Sequence, residues 1–257
     1  MLHSRFATES ASLDADMEIH TPKHAVRTWR DFLKEVGVIV LGVLIALGAE
    51  QTVEKVREHT ASADTRRSVR SEIAANLLLL NVRAASQGCI DRRLQEIGTI
   101  LASAGDGVPE PHPTWVSRPE FWSLSSSSWQ AATGAGRAAL LSEEEQRTLG
   151  SYYNVFEYLD REQEREQQAW AQLRALEDWQ GALRPSARLG FALALQQARY
   201  SEYRIRAKTI SLLAEARVDR IQVPARSVVH ATSICLAITT PRAEAERVDH
   251  APLGDPR

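Results

Sequence analysis

The chain has 257 residues, 44% hydrophobic and 25% charged, enough for one generous domain or two small ones. Its 31 basic and 33 acidic residues leave a net charge of −2, which gives no electrostatic case for a nucleic-acid partner. Two cysteines are too few for a disulfide-dense mini-domain, and strand-type alternation is almost absent, so the expected fold class is all-α.

The most informative stretch near the N-terminus is Val36 to Ala49, VGVIVLGVLIALGA, which contains no charged residue. Its 14 residues alone span roughly 21 Å as a helix, short of a hydrocarbon core of about 30 Å. Counted from Phe32 to Val53 the helix reaches roughly 33 Å, with Glu35 and Glu50 near the two interfaces and Trp29 where an interfacial aromatic belongs. Three readings compete: a buried helix of a soluble protein, a signal peptide cut before Ala49 after the small residues Ala46 and Gly48, and an uncleaved anchor. The anchor is the expectation. The helical pattern runs on through EQTVEKVREH without a breaker, and Asp31 and Glu35 interrupt the basic lead a signal peptide would have.

Lys23, Arg27, Arg30 and Lys34 lie close on the N-terminal side of the span; on the other side Lys55 and Arg57 are close, and Arg66, Arg67 and Arg70 lie further off. This modest bias predicts a short cytoplasmic tail over 1–31 and a large part across the membrane. Gly42 and Ala46 form a small-xxx-small pair suited to helix packing, so self-association through the span is one expectation. The lipid bilayer is the expected partner, with a second copy or an envelope protein beside it.

The stretch MEIHTPKH…WRDFLKEVGVIVLGVLIALGAEQTVE, Met17 to Glu54, resembles the N-terminus of an uncharacterised family of proteobacterial single-pass membrane proteins. CIDRRLQEI around Cys89 is similar to that family as well. The resemblance implies a bacterial inner-membrane anchor and carries no activity with it. It also implies translation from Met17, because MLHSRFATESASLDAD before it shows no helical or apolar pattern.

A periplasmic helical domain with long helices is expected over 54–222. Val69, Ile73, Leu77 and Leu80 mark one face of a helix continuous with the span, capped at Gly88. A second helix follows from about Ile90 to Ala102. Four prolines and two glycines make Gly105 to Pro119 a loop. A short helix should then hold Trp129 and end at Gly134 or Gly136. Ser142 with Glu145 reads as a capping box that opens a long helix to about Leu183, with Leu149, Tyr152, Tyr153, Phe156, Leu159, Trp170, Leu173, Leu176 and Trp179 inside. REQEREQQ, Arg161 to Gln168, has no apolar residue for two turns and reads as a solvated stretch past the core. Pro185 should stop that helix and Ser186 cap the next, Ala187 to about Ile221. The segment 223–257 reads as β-like around Cys235 and disordered after about 240.

No HExxH, CxxC, GxSxG, P-loop or GxGxxG is present, so no catalytic, cofactor or metal residue is assigned and no cofactor is expected. His20, His24 and His112 read as solvated. Thr133 to Leu140, TGAGRAAL, looks like an anion nest but follows a helix with no strand feeding it, so a linker is the better reading. The leading functional expectation is a non-enzymatic anchored interaction or scaffold protein. A ligand-binding sensory module and an enzyme with an unrecognised site are the alternatives. A disulfide between Cys89 and Cys235, each alone in its half of the chain, is expected from a periplasmic location and would close a loop of about 147 residues.

Overall fold

The computed structural model describes residues 28–104, 107–224 and 232–249. The tail before Thr28, the start at Met17, His20 and His24 lie outside them. Among the described residues six α-helices are formed and no strand, so the chain is all-α.

The chain divides into two units, Met1–Lys55 and Val56–Arg257. The first is the early part of α1, Trp29–Ala85. It is long and apolar enough to cross a membrane, with a window of 18 residues at mean hydropathy 2.2 and none of it buried. Gly42, Ala46 and Glu50 are all exposed, and a Cβ built on Gly42 meets nothing within 4 Å.

In the second unit, the rest of α1 is joined by α2, Gln87–Ala104, α3, Ser127–Gly134, α4, Glu143–Arg174, α5, Pro185–Val218, and α6, Arg242–Asp249. Val69, Ile73, Leu77 and Leu80 of α1 are buried as one face. Ser142 caps α4 by accepting from the Glu145 N–H while the Glu145 carboxylate accepts from the Ser142 N–H, which satisfies two donors that a helix start leaves open.

Several boundaries differ from the sequence reading. Gly88 caps nothing: α1 stops at Ala85 and Gly88 lies in the first turn of α2. The long helix α4 ends at Arg174, not near Leu183. The next residues turn so that Leu176 and Leu183 still enter the core, and the Leu183 N–H donates to the Gly107 carbonyl. Pro185 starts α5 instead of stopping α4, because its missing N–H costs nothing at a first helical position. Within α5, the apolar residues Leu189, Ile210 and Val218 are exposed. Around Cys235 a short 3-10 turn forms, Ser233–Cys235, and beyond Pro241 the chain makes α6 with Ala245 fully buried. Arg242 anchors α6 to Glu177 at 2.8 Å, a tertiary partner that polarity alone does not reveal.

The apolar interior forms two clusters. One gathers the α1 face with Leu149, Tyr152, Phe156 and Leu159 of α4 and Ile205 and Leu212 of α5. The other gathers Ile90, Leu94 and Ile97 of α2, Trp170 and Leu173 of α4, and Phe191, Leu195 and Ala198 of α5. Along α4 and α5 alike, the residues between the two clusters are polar and buried: Glu162, Gln163 and Glu166 on α4, Ser201 and Glu202 on α5.

Candidate functional site

The buried polar layer is the most distinctive chemistry in the second unit. It corrects the reading of Arg161 to Gln168 as a solvated stretch: Glu162, Gln163 and Glu166 are about as buried as the leucines around them. They keep helical step with Leu159, Ala169, Trp170 and Leu173, so they face the interior. The periodicity itself was visible in the sequence. What it lacked was the counter-charge, which comes from other helices.

Arg83, from the last turn of α1, donates from Nη2 to Glu166 at 2.8 Å and to Glu202 at 2.6 Å, while its Nη1 donates to the Glu120 carbonyl at 3.1 Å. All three ionisable side chains are almost wholly buried. One turn away along α4, Glu162 pairs with Arg165 at 2.6 Å and with Arg204 of α5 at 3.2 Å. Gln163 clasps the backbone of Trp122 from both sides, accepting from its N–H and donating to its carbonyl. The layer therefore ties α1, α4, α5 and the loop before α3 in one register.

One guanidinium faces two carboxylates, so Arg83, Glu166 and Glu202 hold one excess negative charge when all are ionised. Among the described residues, Oε2 of Glu166 and Oε1 of Glu202 have no hydrogen-bond partner. Burial pushes the Glu166 carboxyl up to about 7; Arg83 opposes that rise and Glu202 adds to it. Glu202 also borders two grooves, of about 290 Å³ beside Asp91 and Arg199 and about 160 Å³ beside Leu80 and Ile210. Both fall below the roughly 300–1,000 Å³ of typical ligand pockets. The arrangement can hold a proton.

A second buried arginine, Arg93 of α2, fastens the C-terminal segment. It donates to the carbonyls of Trp115, Val116 and Leu236 and to Glu96 at 2.9 Å. Cys89, one turn earlier on α2, is joined to Cys235 by a disulfide with a Cα–Cα distance of 4.8 Å. Elsewhere, Glu72 of α1 accepts from the Ser125, Ser127 and Tyr153 hydroxyls and the Ser128 N–H. Burial works against its ionisation, but these four donors outweigh it and hold the carboxyl at about 2.

Of the residues assigned from sequence, Cys89 and Cys235 are brought together as the expected disulfide. Gly42 and Ala46 belong to the first unit, Cys89 and Cys235 to the second. Thr133 to Leu140 is a helix end and a 3-10 turn about Gly136, whose φ of +69° suits glycine. Among the described residues, no group of three or more His, Cys, Asp or Glu is placed to hold a metal ion. No protein-family model, no curated protein and no solved structure matches this chain.

Proposed function

We propose that this protein is a membrane-anchored scaffold whose helical domain stands in the bacterial periplasm and acts by binding, not by catalysis. The observation that carries it is the bare apolar helix: Val38, Ile39, Leu44 and Ile45 are 72%, 62%, 59% and 63% exposed. Water is a poor solvent for that surface. At about 25 cal/mol per Å² of apolar area, a hydrocarbon environment is the arrangement that stabilises it. The charge bias around the span and the likeness of Met17 to Glu54 to single-pass proteobacterial proteins support a cytoplasmic N-terminus. The Cys89–Cys235 bridge suits an oxidising compartment.

Two reporters fused after residue 240 test the topology. One active only in the periplasm should work and one fluorescent only in the cytoplasm should stay dark; the opposite pattern refutes the orientation. Affinity purification from detergent-solubilised membranes tests the scaffold role, for which a stoichiometric protein partner, a second copy included, is expected.

A further inference from the structure

We infer that the outer face of α5 is a seam for a second copy of this chain, which names the partner of the proposed scaffold and rests on that reading. Ten large hydrophobic residues of the described second unit are exposed, and six lie on α5: Leu189, Leu193, Tyr200, Tyr203, Ile210 and Val218. With exposed Gln196, Ala207 and Ala214, the first eight positions from Leu189 to Ala214 step by four and three residues in alternation. That spacing is a heptad seam, and it runs nearly the length of the helix. The opposite face of α5, with Phe191, Leu195, Ala198, Ile205 and Leu212, already fills the core, so the outer stripe is not needed for folding.

Area decides that the stripe is an interface and not incidental exposure. The six side chains are 55–81% exposed and together present roughly 700 Å², close to the ~800 Å² each partner contributes to a standard interface. A monomer's largest apolar patch is ordinarily about 300–600 Å². A straight stripe of large and small residues at heptad spacing fits another helix. Two-fold pairing of identical chains is the commonest way to supply one, and copies tethered to the same bilayer meet at raised effective concentration.

The rim agrees with a protein partner. Three of its arginines are already engaged within the chain: Arg199 donates to the Leu94 carbonyl, Arg204 pairs with Glu162, and Arg206 with Asp91, while Lys208 and Arg217 are exposed. Arg204 and Arg206 thus meet a second copy with carboxylates of their own chain beside them.

The test is the protein mass of the full chain in detergent, by light scattering at micromolar concentration, for wild type and for Leu193→Arg/Ile210→Arg. The expected result is two chains per particle for wild type and one for the variant, with an unchanged thermal midpoint. The companion variant Gly42→Ile/Ala46→Ile should remain dimeric. A monomeric wild type overturns the inference, as does a dimer that survives the α5 substitutions or is lost with Gly42 and Ala46. A monomer that binds phosphatidylglycerol vesicles through the stripe also overturns it, assigning the face to lipid. If the chain is monomeric yet co-purifies with a different stoichiometric protein, the seam fails while the scaffold reading stands.

Discussion

Glu166 of α4 and Glu202 of α5 accept hydrogen bonds from one and the same nitrogen, Nη2 of Arg83 on α1, at 2.8 and 2.6 Å. Three helices are held by one buried guanidinium in a layer that separates two apolar clusters. A buried ion pair contributes little net stability against a well-packed apolar alternative, but removing one partner exposes the full desolvation cost of the others.

Arg83→Leu is therefore expected to destabilise the helical domain by about 3–5 kcal/mol, because two carboxylates stay buried without a counter-ion. The triple variant Arg83→Leu/Glu166→Leu/Glu202→Leu should recover most of that loss. Urea unfolding followed by circular dichroism reads both. A triple variant as unstable as the single one would mean that the layer does more than balance charge.

Stability should also fall as pH rises through neutrality. Burial raises the Glu166 pKa from 4.5 to about 7 in the folded state, so the folded chain binds more protons than the unfolded one between those values. The favourable contribution is whole below about 4.5 and is lost as pH climbs through 7, a change of at most about 3 kcal/mol. Glu72 acts oppositely: its folded pKa of about 2 gives stability present above 4.5 and lost progressively as pH falls from there through 2. Thermal midpoints from pH 5 to 8 should decline for the wild type, and Glu166→Gln should flatten that slope.

Reducing the Cys89–Cys235 bridge should cost about 2–5 kcal/mol, since it closes a separation of 146 residues. The loss should concentrate where the bridge attaches. Hydrogen exchange in Ser233 to Asp249 is expected to quicken well before exchange in α4. On alkylation without reductant, neither thiol of the native protein should react.

Arg93→Lys should cost about 2–4 kcal/mol. Lysine carries three donors on a single nitrogen and cannot reach the carbonyls of Trp115, Val116 and Leu236 together with Glu96. The same denaturation assay measures it, and the bridge should still form in the variant, because Cys89 is placed by α2 itself.

Local features were legible in the sequence by itself. The apolar run through Val36 to Ala49 makes an uninterrupted helix because hydrophobicity and helix propensity belong to the residues themselves. The Ser142–Glu145 capping box and the Val69, Ile73, Leu77, Leu80 face follow from spacing within one turn or a few. Tertiary structure decided whatever depended on a partner from another element. Glu162 and Glu166 look solvated until Arg204 and Arg83 arrive from α5 and α1 to neutralise them. α6 looks like a tail until Arg242 meets Glu177. On α5, apolar residues lie on both faces, and only packing shows which face the core takes, leaving Leu193, Tyr203 and Ile210 outside. The physical reason is common to all three cases. Periodicity reports how strongly a side chain prefers to leave water, whereas the burial of a charge or the exposure of a leucine is set by what the rest of the fold places against it.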